Sequence, residues 1–191
     1  MARADNDNVY ELPPDLPVPL DDGACALLAG MRLPSLALAA TDGRSMDLTA
    51  LPGLTVIYIY PRTGRPDQEL PTGWNAIPGA RGCTPQSCAF RDHYAELRRL
   101  GAPQLFGLST QDTAYQREAA DRLHLPFALL SDATLAFARA LKLPTFSVDG
   151  MTLIKRLTLI ARDGVIVKVF YPVFPSDRNA GDVIEWLKTN A

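Results

Sequence analysis

The feature of this sequence that most constrains its fold is the alternation of strand patterns with helical patterns along a chain of 191 residues. Residues 54–60, Leu-Thr-Val-Ile-Tyr-Ile-Tyr, form a β-branched and aromatic run that is apolar on both faces, which predicts a central strand in a covered sheet. A helical pattern follows at 85–100, then a strand at 104–109 and a helix at 112–124, capped by Thr110 or Asp112. This order is typical of βαβ units, whose parallel strands form a sheet with helices on both faces.

The remaining segments complete a mixed sheet. Residues 36–48 predict a hairpin with its turn at Asp42-Gly43. The elements predicted after residue 124 are a strand at 127–130, a short helix at 133–141, strands at 157–161 and 165–171, and a helix at 179–189. A βαβ half followed by a ββα half predicts an α/β fold of the thioredoxin type, with helices flanking a mixed central sheet.

Composition narrows the class of protein. Hydrophobic residues make up 47% and charged residues 21%, as expected for one globular domain with a sizeable core. We expect that domain to span residues 30–191, preceded by a proline-rich, extended N-terminal extension at residues 1–29. The net charge of −2 is scattered, so no nucleic acid or membrane partner is predicted. Without an apolar run of membrane-spanning or signal-peptide type, we expect a soluble, cytoplasmic protein.

The three cysteines are too few for a disulfide scaffold in a chain of this length. In a reducing compartment the close pair Cys83 and Cys88 is typical of a catalytic or a metal-binding site. Zinc held by Cys83, Cys88 and His93 is the metal alternative, although a fourth ligand is not evident and we predict no metal. Cys25, in the extension, is expected to be a small, inert residue.

Cys83 is predicted to lie at the mouth of a helix. Thr84 is a good N-cap and Pro85 fits the first helical position. Unpaired backbone amides and the positive end of the helix dipole then face the Cys83 sulfur and favour its thiolate form. Arg81 and Arg91 lie near enough in sequence to add positive charge. Because the thiolate is the form that attacks a peroxide oxygen, the placement suits that reaction.

Cys88 follows Cys83 by five residues, which in a regular helix separates their Cα atoms by about 8.6 Å and their side chains by about 140°. A disulfide tolerates at most about 7 Å between Cα atoms. If both cysteines lie on this helix, a bond between them requires its first turns to melt. We therefore predict a two-state element, wound when it reduces peroxide and locally unwound when the disulfide forms.

Residues 82–92, Gly-Cys-Thr-Pro-Gln-Ser-Cys-Ala-Phe-Arg-Asp, closely resemble the Gly-Cys-Thr-x-x-x-Cys-x-Phe-Arg-Asp motif of the peroxiredoxins, specifically the Q-type or bacterioferritin-comigratory branch. The resemblance extends over most of residues 30–171. It implies a peroxide substrate, Cys83 as the peroxidatic cysteine, Cys88 as the resolving cysteine of an intrachain disulfide, and Arg156 as the arginine that stabilises the thiolate and the peroxide. It also implies that thioredoxin or a similar dithiol protein is the reductant. No cofactor is expected.

The sequence departs from the family pattern before the first cysteine. Where the family has Pro-x-x-x-Thr-x-x-Cys, this chain has Ala76 and Ala80. Pro61 is a candidate for the shielding proline, which makes residues 62–79 an insertion. We expect this loop to fold over the thiol pocket, with Thr63 supplying the missing hydroxyl and Trp74 a hydrophobic lid. The alternative is a surface loop or a subunit contact.

Two other functions fit the same residues. A redox-sensing interaction module would keep the cysteines but lose efficient turnover with the threonine. A general thiol-disulfide oxidoreductase is less consistent with the sequence, which lacks Cys-x-x-Cys. The sequence leaves open whether the protein is a monomer or a homodimer, and which peroxide it prefers.

Overall fold

The computed structural model describes residues 8–190, and within them a seven-stranded mixed sheet has the strand order β2-β1-β5-β4-β3-β8-β9. The strands of this sheet are β1 (Leu38–Ala40), β2 (Ser45–Met46), β3 (Leu54–Ile59), β4 (Gln104–Ser109), β5 (Leu129–Ser131), β8 (Leu157–Arg162) and β9 (Val165–Phe170). The helices are α1 (Cys83–Asp92), α2 (Tyr94–Arg99), α3 (Thr113–Arg122), α4 (Ala136–Leu141) and α5 (Asn179–Asn190). Strands β3, β4 and β5 are parallel, and the other neighbours in the sheet are antiparallel.

Strand β3 lies between β4 and β8, and every one of its residues is buried. Its side chains alternate between two apolar clusters, as the period of two along a strand requires. Leu54, Val56 and Tyr58 pack with helices α1 and α5, whereas Ile57 and Ile59 pack on the opposite face with α4. The predicted central strand and the predicted covering of both sheet faces are confirmed.

The hairpins and most helices also follow the sequence pattern. The predicted first hairpin is β1 and β2, and the predicted hairpin around residues 162–164 is β8 and β9. Asp112 caps α3 by accepting from the Tyr115 amide at 2.8 Å, whereas Thr110 donates to the Thr152 carbonyl. None of the helices within residues 8–190 is long and apolar enough to cross a membrane.

The helix predicted at 85–100 is instead two helices, α1 and α2, that meet at His93. The ring Nδ1 of His93 lies 2.8 Å from the Ala89 carbonyl. The start of α1 was also predicted wrongly, because Thr84 is not the N-cap. Gly82 takes that position with a left-handed backbone, φ 101°, and the helix begins at Cys83.

A third hairpin was not predicted from the sequence. Strands β6 (Thr145–Val148) and β7 (Met151–Ile154) pair with each other apart from the main sheet. Their apolar side chains pack against Trp74 and Ala80, which belong to the segment before Cys83. The segment 62–79 is therefore packed against the β6–β7 hairpin, which lies about seventy residues later in the chain.

Residues 8–29 contain no helix or strand, and the first seven residues of the predicted extension lie outside the described residues. Val9, Cys25 and Leu28 are nevertheless buried. Asp22 pairs with Lys155 at 2.9 Å, and Tyr171 donates to Asp22 at 2.8 Å. This N-terminal arm, residues 8–29, thus lies against the same end of the sheet as residues 79–82.

Candidate active site

The sulfur of Cys83 sits at the first position of α1, and the residue is only 3% exposed. The left-handed backbone of Gly82 turns the chain into the helix, which a side chain at this position would resist. The Gly82 carbonyl accepts from the Gln86 amide at 3.0 Å and from Ser176 Oγ at 2.8 Å. The helix start is therefore held by both its own first turn and a residue just before α5. Helix amides at this end of α1 favour a negative charge on the sulfur.

Arg156 is the cation of the site, and it is 3% exposed. Its Nη2 lies 3.1 Å from Cys83 Sγ and also donates to the carbonyls of Ala80 at 3.0 Å and Arg81 at 3.1 Å. Its Nε donates to the Gly79 carbonyl at 3.2 Å. A planar guanidinium with fixed donors is suited to hold a loop and a sulfur anion together, and a buried cation beside a thiol favours the thiolate.

The remaining nitrogen of Arg156 enters a chain of buried side chains. Its Nη1 donates to Oε1 of Gln86, which lies one turn after Cys83 on α1. Gln86 Nε2 donates to Asn179 Oδ1 at 2.9 Å, and Thr158 Oγ1 donates to the same oxygen at 2.6 Å. Gln86, Thr158 and Asn179 are all fully buried, so each of these hydrogen bonds is made out of contact with solvent.

Cys88 lies on α1 in the same helix as Cys83, and both thiols are free. Cys88 is half-buried, and burial raises the pKa of its thiol against the opposing effect of Arg91. Five positions on a wound helix put the two Cα atoms about 8.6 Å apart, beyond the reach of a disulfide. A bond between them therefore requires α1 to unwind.

The apolar wall of the site comes from β3 and α1. The ring of Tyr58 stacks on Phe90 at 4.5 Å between centroids, and its hydroxyl donates to Ser87 at 3.0 Å. Tyr60 stacks on Tyr58 at 5.7 Å. Burial raises the pKa of both phenols, so they stay neutral and shield the Cys83 sulfur without adding charge.

Ala80 occupies the position where the resembled family has threonine. It is fully buried, and its carbonyl lies 3.6 Å from Cys83 Sγ. Trp74 packs in the same apolar cluster, with its ring 6.2 Å from that of Phe146 in β6. Residues 62–79 therefore lie next to residues 80–83, the segment that ends at Cys83. The predicted role of Trp74 as a lid stays a prediction.

Pro61 and Thr63 follow β3 and are both buried. The Thr63 hydroxyl donates to Gln111 Oε1 at 3.1 Å, and the Thr63 amide donates to the same oxygen at 3.0 Å. Among the described residues, the hydrogen-bonding partners of Cys83 Sγ are Ala80 and Arg156. The predicted contacts of Pro61 and Thr63 with a peroxide therefore stay predictions.

Other residues named from the sequence lie outside the group of side chains around the Cys83 sulfur. Arg91 donates to Asp92 and to the Leu123 carbonyl, so it acts on Cys88 rather than on Cys83. Cys25 is buried in the apolar cluster that contains Leu28 and Tyr171. In the part of the chain from residue 8 to residue 190, no group of three or more His, Cys, Asp or Glu side chains is placed to hold a metal ion. The zinc alternative, which needs Cys83, Cys88 and His93, gains no support.

Four residues of the site were not predicted from the sequence, and one of them, Thr158, lies two positions after Arg156. Gln86 lies inside the cysteine motif, and a polar side chain one turn after Cys83 could have been suspected of facing it. Ser176 and Asn179 are about ninety residues away from Cys83 in sequence, and no local pattern distinguishes them. Only the packing of α5 and its preceding turn against α1 brings them to the site.

Comparison with known proteins places this arrangement in a family. Residues 28–184 match the Redoxin family. The chain is 27% identical to the chloroplastic peroxiredoxin Q of Oryza sativa subsp. japonica over 161 residues, which is 84% of this chain and 66% of the rice protein. The chain therefore belongs to the Redoxin family, and the predicted peroxiredoxin of the Q-type or bacterioferritin-comigratory branch is confirmed.

Solved structures show the same fold. Peroxidoxin BcpB from Mycobacterium tuberculosis matches with a TM-score of 0.69 at 23% identity, covering 85% of this chain and 97% of that chain. A cysteine-to-serine variant of peroxiredoxin Q from Xanthomonas campestris matches with a TM-score of 0.67 at 25% identity, covering 86% of this chain and 99% of that chain. The predicted thioredoxin-like fold is confirmed. The cytoplasmic location stays a prediction, since the rice relative is described as chloroplastic.

Proposed function

We propose that the protein is a thiol peroxidase that reduces hydrogen peroxide or organic hydroperoxides at Cys83. The observation that carries the proposal is the buried contact of 3.1 Å between Arg156 Nη2 and Cys83 Sγ at the start of α1. A guanidinium and helix amides together favour the thiolate. The neutral phenols of Tyr58 and Tyr60 add apolar surface without competing charge.

In the first step the Cys83 thiolate attacks one peroxide oxygen. A sulfur–oxygen bond forms as the oxygen–oxygen bond breaks, so that sulfur is oxidised and the peroxide is reduced. The leaving oxygen carries away the bonding electron pair and takes up a proton, becoming water or an alcohol. Cys83 is left as a sulfenic acid. Arg156, with its Nη2 directed at the sulfur, is proposed to stabilise the negative charge as it moves between these atoms.

In the second step the thiol of Cys88 attacks the sulfenic sulfur of Cys83. A sulfur–sulfur bond forms, and the hydroxyl leaves as water with the proton of the attacking thiol. Because both residues lie on α1, this step requires the first turns of the helix to unwind. A dithiol protein such as thioredoxin then reduces the disulfide and returns both thiols. The oligomeric state, monomer or homodimer, stays open.

The experiment that tests the proposal adds one equivalent of peroxide to the reduced protein and weighs the intact chain after quenching with a sulfenate-specific reagent. Wild type is expected to lose two hydrogens as the disulfide joining Cys83 and Cys88 forms. Cys88→Ser is expected to trap a labelled sulfenic acid at Cys83, and Cys83→Ser is expected to stay unlabelled. Cys25→Ser is the matched control and should behave as wild type. Labelling at Cys25 or Cys88 in place of Cys83 would refute the assignment.

A second candidate function is a redox-sensing module without efficient turnover. The specific observations that favour it are Ala80 in place of threonine and the 3% exposure of Cys83. The two functions differ in turnover, because an enzyme consumes peroxide continuously with thioredoxin and its reductase. A sensor forms one equivalent of disulfide slowly and then exchanges it with a partner.

We also propose that residues 1–29 are an extension of a domain that spans residues 30–191. The family match begins at residue 28, and residues 8–29 contain no helix or strand, which supports the division. The arm nevertheless covers part of the site, since residues 12–14 and Leu16 line a cavity of about 250 Å³ together with Arg81, Arg156 and Ser176.

A further inference from the structure

The chain of hydrogen bonds that starts at Arg156 has only one chemically consistent direction. A guanidinium has donors and no acceptor, so the Gln86 amide must present its Oε1 to Arg156. The Nε2 of Gln86 is then directed at Asn179, which must present its Oδ1. Thr158 donates its hydroxyl to the same oxygen. The orientation of both amides therefore follows from the donor-only character of Arg156 and not from the assignment of their atoms.

Asn179 accepts from the amide nitrogen of Gln86 and so anchors the side chain whose oxygen faces Arg156. Its Oδ1 takes two donors, whereas its Nδ2 is buried with no partner among the described residues. A buried donor without a partner costs free energy, so a side chain retained at this cost is being used for its acceptor. With that acceptor removed, Gln86 Nε2 would have no partner in the wound helix. A buried amide nitrogen without a partner is costly, so the Gln86 side chain would shift toward another acceptor and hold its oxygen less firmly against Arg156.

We propose that Asn179 is a positioning residue that acts through Gln86 to hold the Arg156 guanidinium against Cys83. The proposal rests on the proposed function, in which the Cys83 thiolate is the reacting group. Asn179 is the first residue of α5, and Gln86 lies on α1, so the orientation of Arg156 depends on how these two helices pack. These four residues, Arg156, Gln86, Asn179 and Thr158, form a relay of hydrogen bonds. When α1 unwinds so that the disulfide can form, Gln86 leaves the relay, and the guanidinium loses this support.

The test measures how fast iodoacetamide alkylates Cys83 between pH 5 and pH 9, in protein that carries Cys25→Ser and Cys88→Ser. Arg81, two residues before Cys83, also lies beside Arg156, but a guanidinium keeps its charge throughout this pH range. Burial raises the pKa of the nearby phenols Tyr58 and Tyr60, so they stay neutral in it. Alkylation needs no peroxide. Its result therefore stands even if the peroxidase proposal fails.

Asn179→Leu and Gln86→Leu are each expected to slow alkylation about tenfold below neutral pH and to move the profile about one unit upward, the size expected for one hydrogen bond to a charged group. The double variant Asn179→Leu/Gln86→Leu should be no slower than Gln86→Leu alone, because Asn179 acts only through Gln86.

Thermal unfolding of each variant is followed alongside, and Asn179→Ala replaces Asn179→Leu in the cycle if the larger side chain prevents folding. Two outcomes would overturn the proposal. One is a wild-type alkylation profile in folded Asn179→Leu or Asn179→Ala. The other is a double variant in which the effects of the two single changes multiply, since that result would make Asn179 a general support for the fold rather than part of the relay.

Discussion

Arg156 donates from Nη2 to the sulfur of Cys83 across 3.1 Å, although the two residues are 73 positions apart in sequence. The same nitrogen donates to the carbonyls of Ala80 and Arg81, so a single guanidinium holds residues 80–83 around the Cys83 sulfur. Cation, thiol and loop are therefore one unit, and a change to any of them is expected to affect the other two.

Replacement of the cation should slow the reaction of Cys83 with peroxide. Arg156→Met removes the positive charge and leaves the carbonyls of Gly79, Ala80 and Arg81 without this donor. We expect the second-order rate constant for peroxide to fall between about tenfold and about a hundredfold, as measured by stopped-flow fluorescence. Arg44→Met is the matched control, because Arg44 is exposed and pairs with Asp42 in the first hairpin. An unchanged rate in Arg156→Met would contradict the assigned role.

Gly82 should be intolerant of a side chain. Its φ is +101°, and a Cβ there would lie 2.2 Å from Ser176 Oγ and 2.6 Å from Leu12 Cδ2. Gly82→Ala is expected to lose free energy of unfolding, measured in urea, both from backbone strain and from the clash. Gly43→Ala isolates the strain, since Gly43 has a φ of +85° and open space around it. We expect a cost of about 1 kcal/mol for Gly43→Ala, and at least about 2 kcal/mol more for Gly82→Ala. Equal losses would show that the Ser176 contact can yield.

Cys25 should make stability fall in alkaline solution. Burial raises the pKa of its thiol from 9.0 to about 12, with the nearby Asp22 and Asp21 carboxylates acting in the same direction. A raised pKa means that the folded state keeps its proton longer, so the stabilisation is complete below pH 9 and is lost as the pH rises toward about 12. The difference in free energy of unfolding between wild type and Cys25→Ala should shrink there by up to about 1.4 kcal/mol per pH unit. A difference that is flat from pH 7 to pH 11 would contradict this.

Thr63 carries a prediction with two separate readouts. Its hydrogen bond to Gln111 predicts that Thr63→Val lowers the free energy of unfolding by about 1 kcal/mol. Its proposed contact with the peroxide predicts slower peroxide turnover as well, measured with thioredoxin and its reductase. Thr158 is also a buried threonine, but it donates to Asn179 and belongs to the relay, so Thr158→Val is unsuitable as a control. Thr55→Val in β3 is the matched choice, since it is buried but unassigned. A loss of stability with unchanged turnover would make Thr63 a structural residue only.

The exact start of the helix that carries the cysteines could not be predicted from neighbouring residues alone. The sequence predicted a helix start beside Cys83 from Thr84 and Pro85, and a helix does begin there. It begins earlier than predicted, because Gly82 adopts a left-handed backbone and Ser176 satisfies its carbonyl. Thr84 Oγ1 is instead buried without a partner among the described residues. A tertiary contact outweighed a local capping preference.

Elements with a local or periodic cause could be predicted from the amino-acid sequence. The two-sided apolar run of β3 and the turn at Asp42-Gly43 depend on residues that are close together in the chain, whereas the choice of Asp112 over Thr110 as a cap was visible only in the structure. The placement of both cysteines on one helix, which sets their separation, also depends on residues that are close together in the chain. These features are decided by side-chain periodicity and backbone preference, and both can be read from a single sequence.

The distant side chains that surround the sulfur became visible only in the folded chain. Arg156 was named through a family resemblance, and Gln86, Ser176 and Asn179 were not named. The hydrogen bonds of these residues join α1 to the chain after β7 and to the start of α5. Such contacts depend on how helices pack on the sheet, because burial favours the pairing of polar groups that the fold brings together. No periodicity along the chain encodes that choice.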